Sequence, residues 1–391
     1  MRIRSVTLKN WMNFQFIESI ALADQVFVIG PNASGKSNFL DAFRFLRAVA
    51  RPAGVKPAGG GLQMAVGDRG GLSKLRCVNA RTDTEVLIEM AVEDKPDEPL
   101  WIYRLGFKGE GKANNRVVIT QEKVFRGEKL LLDRPEPADE EDPERLTQTF
   151  LEQVNANVNF RELAHFFSEI TYLHLVPQLL KFGDVIGGKV IDQDPFGQGL
   201  LQRIAAGGEQ TRNARLRRIQ AALESVVPQF KELRFTRDAV TGQPHIEANF
   251  AHWRPAGTWQ REHQFSDGTL RLIGLLWALM DGNSLLLLEE PELSLNEEIV
   301  SKLPALIRKI QKQAKSPRQV IVTTHSEALL SDSAIGSEAV VRFEPSKEGT
   351  GVAAPSKQEQ IMLQSGLPVG QVLLPATKPE NVDKLEQLSL L

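Results

Sequence analysis

Residues Gly30 to Ser37 read Gly-Pro-Asn-Ala-Ser-Gly-Lys-Ser, and this octet constrains the fold more tightly than anything else in the chain. The pattern G-x-x-x-x-G-K-[S/T] works only where a strand delivers the backbone to a sharp turn and a helix carries it away. The turn must aim successive N–H groups at phosphate oxygens. Both flanks are present: Val26-Phe27-Val28-Ile29 reads as a buried parallel strand, and Asn38 to Ala50 as an amphipathic helix. The backbone of Asn32, Ala33, Ser34 and Gly35 would cradle phosphate, with glycine permitting the close approach. Lys36 would reach the β- and γ-phosphates and Ser37 would coordinate Mg²⁺, while Asn38 opens a helix whose dipole favours an anion. A nucleotide site in an α/β protein follows.

Composition sets milder bounds. The 391 residues are 25% charged and 42% apolar, ordinary values for a globular protein, with a formal net charge of −2. Any nucleic-acid surface must therefore be a local patch. The single cysteine, Cys77, excludes an internal disulfide framework and a multi-cysteine zinc site. Leu272 to Met280 is strongly apolar, yet it contains Gly274 and is too short to span a bilayer. Met1 to Ser5 lacks the apolar core of a signal peptide. A cytoplasmic protein without a membrane segment is expected.

Ile3 to Leu8 alternates like a strand, and Gln25 to Ile29 follows after a short connection. The glycine-rich stretch Pro52 to Gly71 reads as a flexible surface loop, or as one that orders near nucleotide or a partner. Glu85 to Val92, Leu100 to Phe107 and Arg116 to Phe125 are strand-like. Pro135 to Pro143 reads as an acidic, solvated linker. Helical character is expected from Leu146 to Phe167, a strand at Ile170 to Val176, and an amphipathic helix at Asn213 to Val227 with Leu216, Ile219, Leu223 and Val226 on one face. Ser284 to Leu288, Ile299 to Gln313 and Gln319 to Thr323 then alternate strand, helix and strand, the mark of a parallel sheet with crossover helices. Heptads and internal repeats are absent.

Leu285 to Leu288 runs into Glu289-Glu290, an apolar strand ending in two carboxylates. A phosphate loop needs such a partner: Glu289 is assigned to the magnesium shell and Glu290 to the general base that polarises the attacking water. Val320 to Thr323 is another buried strand, ending in Thr324-His325-Ser326, and His325 there could report the γ-phosphate. Ser266-Asp267-Gly268 stands just before the apolar helix at Leu272. It reads either as an ordinary helix cap or as an anion site at a helix start.

The order of phosphate loop, Ser-x-Gly, two-acid strand and histidine strand resembles the ATP-binding-cassette ATPase superfamily. Ser266-Asp267-Gly268-Thr269-Leu270-Arg271 and Glu289-Glu290-Pro291-Glu292 are similar to its RecF, SMC and OLD branch, and more narrowly to the compact bacterial predicted ATPases of that branch. Leu8 to Phe14 resembles the branch's opening strand and asparagine-aromatic turn, and Gly366 to Gly370 also resembles the compact members. The resemblance implies an α/β fold of the ABC ATPase-head type. Its sheet core is mixed or parallel, with an amino-terminal antiparallel β-lobe and a helical insert. The corresponding lobes are 1–134, 135–260 and 261–391. It also implies an ATP sandwich: two copies pair head to tail, and Ser266, Asp267 and Gly268 of one approach the γ-phosphate held at Lys36 of the other. Gln178 is the candidate for the family's magnesium-sensing glutamine. Glu289 replaces the family's usual aspartate, and Asn296 stands where compact relatives often carry histidine.

The 230 residues from Lys36 to Ser266 exceed the spacing of transporter subunits, and they lack the coiled coil of SMC proteins. The 66 residues after His325 contain no run of paired acids of the TOPRIM kind. A stand-alone head is expected, hydrolysing ATP with Mg²⁺ as a homodimer or larger oligomer. It would drive or gate a DNA-processing, repair or antiphage defence complex whose effector, such as a nuclease, is separate. A nucleotide-sensing scaffold with little turnover is the second reading. Arg212, Arg215, Arg217 and Arg218 form either a solvated helix face or a DNA-phosphate contact. His165, His174, His245, His252 and His263 lack metal-ligand spacing.

Overall fold

The computed structural model describes residues 1–51, 60–111, 116–186, 196–251, 258–314 and 317–378. The chain forms two compact units, Met1–Ile170 with Gln319–Leu391, and Thr171–Arg318.

The larger unit carries an antiparallel sheet in the order Phe14–Ala21, Arg2–Trp11, Val86–Glu93, Trp101–Gly109, Val117–Arg126 and Lys129–Arg134. Period-two sequences make it. Val86–Glu93 buries Val86, Ile88, Met90 and Val92 and turns the alternate residues to the other face. Helix Lys36–Ala50 buries Phe39, Phe43, Phe45, Leu46 and Val49. Phe45 stacks on Phe107 with ring centres 5.4 Å apart and meets the edge of Trp11 at 5.1 Å. Burial of each such side chain contributes about 1.5–3 kcal/mol.

A second set of strands in this unit runs in the order Gly349–Val352, Val340–Ser346, Gln25–Ile29 and Val320–Thr323. Gln25–Ile29 is parallel to both its neighbours and buried along its whole length, as befits a strand covered on both faces.

The smaller unit holds the parallel pair Thr171–Leu173 and Leu286–Glu289, the helices Glu209–Val226, Asp267–Met280 and Glu297–Gln313, and a three-stranded antiparallel sheet, Phe230–Arg237, Pro244–Phe250 and Thr258–Arg261. Helix Asp267–Met280 is apolar nearly all round and correspondingly buried. Buried Arg318 closes the end of that helix by donating to the carbonyls of Ala278, Asp281 and Ser284.

The structure departs from the sequence expectations in several places. Pro135 to Pro143 is largely solvent-exposed, as expected, but it is not an unstructured linker. It contains helix Pro137–Glu141, capped reciprocally by Glu136 and Asp139, and Asp139 is buried. Arg134 explains the difference: its guanidinium pairs with Asp139 and Glu122, each at 2.9 Å. Glu122 in turn accepts the N–H groups of Phe150 and Leu151. An acidic run signals solvation only when no buried cation meets it.

The helix expected over 146–167 is confined to Arg161–Ser168, preceded by short 3₁₀ turns. Strands Phe14–Ala21 and Lys129–Arg134, and the three-stranded sheet of the smaller unit, escaped the sequence reading. Of the glycine-rich stretch, residues 60–71 form short helices, Leu62–Gly67 and Leu72–Leu75, whereas 52–59 lie outside the described residues.

Candidate functional site

The phosphate loop follows strand Gln25–Ile29 directly. Ala33 (φ 60°) and Gly35 (φ 93°) both take left-handed backbone, which folds the loop into a tight concave turn. Gly35 is required twice over. Its φ disfavours a side chain, and a Cβ there would lie 2.2 Å from the amide nitrogen of Asn13. Lys36 folds back over the loop and donates to the carbonyls of Gly30 and Pro31 at 3.0 and 3.1 Å. Helix Lys36–Ala50 begins without a side-chain cap, so its positive end is not neutralised from within. A concave turn, an uncapped helix start and an ammonium over the mouth fit a polyphosphate.

Asn13 was missed in the sequence as a functional residue. Its amide donates to Ser34 O at 3.0 Å and to Thr350 Oγ1 at 2.7 Å, and its Oδ1 accepts from the Asn38 amide at 2.8 Å. Trp11 Nε1 donates to Asn38 O at 2.8 Å. The asparagine-aromatic turn is thus the scaffold of the phosphate loop. The signal for it was the run Trp11-Met12-Asn13, visible but without an assigned role.

His325 belongs to the same unit. Strand Val320–Thr323 pairs in parallel with Gln25–Ile29, Thr323 opposite Val28, and Thr324 N donates to Val28 O at 3.1 Å. Continuing the register brings His325 and the first loop glycine to the carboxyl ends of adjacent strands. The imidazole is exposed there. This edge is where ligands gather in open α/β sheets.

In the smaller unit, Leu286–Glu289 pairs with Thr171–Leu173, Leu287 opposite Tyr172. Tyr172 donates its hydroxyl to the Glu289 carboxylate in a short hydrogen bond, and the His174 ring lies 3.3 Å from Glu289 O. Glu290 follows with φ 43°, a left-handed conformation that costs a non-glycine residue about 1–2 kcal/mol. A left-handed residue directly after the strand breaks the strand's alternation at the second acid. Asn296 caps helix Glu297–Gln313 by accepting Glu298 N at 2.8 Å, a structural role for the residue that departs from the relatives' histidine.

Ser266 caps helix Asp267–Met280, its Oγ accepting Thr269 N at 3.1 Å. Gly268 is held to glycine by contact: a Cβ would stand 2.7 Å from Ser294 O in the turn after the two acids. The Ser-x-Gly segment and the two-acid strand end are therefore packed together within one unit. Gln178 lies at the start of helix Pro177–Ile186, and its amide donates to Asp267 at 2.7 Å, beside Lys181, which pairs with the other Asp267 oxygen at 2.7 Å. Gln178 thus joins the Ser-x-Gly segment, a placement its position in sequence did not indicate.

Ser37 in the larger unit, and Glu289 and Gln178 in the smaller, each carry an oxygen donor of the kind a hard cation such as Mg²⁺ takes. Among the described residues no cluster of three or more His, Cys, Asp or Glu side chains could hold a metal. His245 pairs with Glu262 at 2.7 Å, and His252 lies outside the described residues. In the arginine cluster, Arg215 pairs with Asp281 and lies over Trp277, and Arg212 lies over Phe235. Arg217 and Arg218 remain exposed. No helix among the described residues is long and apolar enough to cross a membrane.

The family model described as "AAA domain, putative AbiEii toxin, Type IV TA system" matches residues 26–331, from the strand before the phosphate loop to just past His325. The chain belongs to this family. Among solved structures, it is similar to an SMC head bound to the C-winged helix domain of ScpA, with 17% identity over 92% of this chain and 100% of the other, and a TM-score of 0.53. It is also similar to an Smc head domain with an extended coiled coil bound to the C-terminal domain of ScpA derived from Pyrococcus furiosus, with 13% identity over 93% and 98% of the two chains, and a TM-score of 0.51. No curated protein matches the chain in sequence. Family and fold agree: the chain carries an AAA domain and has the fold of the SMC heads, a fold that supports ATP binding and hydrolysis generally.

Proposed function

We propose that the chain is an ATPase head that hydrolyses ATP to ADP and phosphate and closes as a homodimer around the nucleotide. Asn32 to Asn38 would hold the phosphates. Ser37 and Glu289, with Gln178 if it leaves Asp267, would hold Mg²⁺, which when bound neutralises charge on the triphosphate. Glu290 would take a proton from the water that attacks the γ-phosphorus, His325 would contact the γ-phosphate, and ADP would leave. Ser266, Asp267 and Gly268 of the second copy would complete the site. An arginine finger supplied in trans contributes about 10³–10⁵ in rate to phosphoryl transfer; the Ser-x-Gly segment would act in trans in the same sense, so the monomer should turn over slowly.

The observation that carries the reading is the phosphate loop itself, left-handed at Ala33 and Gly35 and emptying onto an uncapped helix start. The SMC heads it resembles in fold were each solved bound to a domain of another protein. By analogy, a separate effector such as a nuclease would receive the ATP-driven movement, in DNA processing, repair or antiphage defence. Exposed Arg217 and Arg218 are the candidates for DNA contact.

Glu290→Gln tests the reading. The variant should bind ATP, lose turnover and accumulate as a dimer by light scattering. Undiminished turnover by this variant would sink the assignment. ATP-dependent dimers that form equally in the wild type, without hydrolysis in either, would instead favour a nucleotide-sensing scaffold.

A further inference from the structure

Arg271 lies one helical turn beyond Asp267, on the same face of helix Asp267–Met280. It is 7% exposed, and its Nε and Nη1 are sealed from solvent with no hydrogen-bond partner among the described residues. Buried guanidinium groups are ordinarily forked onto carboxylates or carbonyls. Arg318, in the same unit, obeys that rule on three carbonyl oxygens. Arg271 does not.

The acids near enough to act on Arg271 through their field are Asp267, Glu292 and Glu290. Burial nonetheless dominates and lowers its pKa from the ordinary arginine value. Asp267 is already engaged by Gln178 and Lys181. Glu290 and Glu292 flank Pro291 in the turn that Gly268 touches, and Glu290 holds a left-handed backbone there. An arginine forked onto Glu290 would stabilise its carboxylate and make it a poorer base. Glu292 carries no such cost.

We propose that Arg271 is a positioning residue for hydrolysis, whose guanidinium forks onto Glu292 in the nucleotide-bound state and so fixes the Glu290 backbone relative to the Ser266–Gly268 segment. The inference rests on Glu290 being the general base. It assigns a purpose to a guanidinium whose Nε and Nη1 are buried without a hydrogen-bond partner among the described residues.

The test uses the full chain with Arg271→Met, Arg271→Lys, Glu292→Gln, the Met/Gln double variant and Glu290→Gln, measuring kcat, KM, ATP affinity and thermal melting. Arg271→Met and Glu292→Gln should each lower kcat about tenfold or more, with KM and ATP affinity within about threefold of wild type. The double variant should be no worse than either single, because the two act as one pair. Arg271→Lys should recover part of the loss. Arg271→Met should melt no lower than wild type, since an unpaired buried charge gives way to an apolar isostere. That combination separates a positioning role from mere packing.

An Arg271→Met enzyme with wild-type kcat, or a double variant whose losses multiply, overturns the proposal. If Arg271→Met does not fold, the Arg271→Lys/Glu292→Gln cycle decides by the same additivity criterion. Loss of turnover in Glu290→Gln together with wild-type kcat in Arg271→Met would remove only this inference. Wild-type turnover in Glu290→Gln would remove the general-base assignment beneath it.

Discussion

Asn13 donates its side-chain amide to the carbonyl of Ser34 at 3.0 Å, tying the turn after the first strand to the phosphate loop. Through Thr350 and Asn38 the same side chain reaches the hairpin strand Gly349–Val352 and the loop's own helix. Three segments far apart in sequence therefore meet on one amide. Replacing Asn13 by Ala removes these bonds without touching any residue of the loop. At about 1 kcal/mol of net worth per bond, ATP affinity should weaken by about fivefold or more. Isothermal titration against wild type measures it; unchanged affinity would show that the loop holds its shape unaided.

Gly35→Ala should be more damaging. The left-handed φ alone costs about 1–2 kcal/mol, and the new methyl would collide with the Asn13 amide. Combining Gly35→Ala with Asn13→Ala removes the collision but not the backbone strain. The double variant should therefore melt higher than Gly35→Ala alone while still binding ATP poorly. Calorimetry on the four proteins of the cycle separates the two terms.

Ser266 has a capping role visible in the structure and a proposed role toward a second copy. Ser266→Ala should cost about 1 kcal/mol of stability through the lost cap. Ser266→Thr keeps a hydroxyl at the cap and should restore most of it. Turnover compared at equal folded fraction then reports the proposed contact in trans. If Ser266→Ala turns over like wild type under those conditions, the serine is a cap and nothing more.

Glu152 makes stability depend on pH. Burial raises its carboxyl to about 7 from 4.5, with Glu122 adding to the rise, against the N–H groups of Thr149 and Leu62 that favour the charged form. The folded value lies above the unfolded one, so the folded chain binds the proton more tightly. The associated stability is fully present below about pH 4.5 and is lost as pH rises through 7. A separation of this size corresponds to about 3 kcal/mol. Urea midpoints between pH 5 and 8 should fall with pH in the wild type and flatten in Glu152→Gln. An identical slope in both proteins would assign the dependence elsewhere.

The parts of the site that were legible beforehand are those written locally. Strand Gln25–Ile29, the loop and helix Lys36–Ala50 are contiguous and strongly patterned, and the same holds for Leu286–Glu289 and Val320–Thr323. The partners of those residues were not legible. Tyr172 on Glu289, Gln178 and Lys181 on Asp267, and Arg134 on Asp139 are contacts between segments whose spacing in sequence carries no period. The acidic run at 135–143 misled for the same reason, since its counter-ion was hidden in an adjacent strand.

Taken alone, the order of amino acids determined that a phosphate loop exists, that a parallel sheet flanks it, and which side chains have the chemistry to act there. Those properties follow from hydrophobic period and backbone permissiveness, which act over a few residues. Only the tertiary structure decided that Asn13 braces the loop, that Gly268 is fixed by the carbonyl of Ser294, and that Nε and Nη1 of Arg271 are buried without a hydrogen-bond partner among the described residues. Close packing sets these relations. Which groups it brings to within 3 Å depends on how whole elements dock.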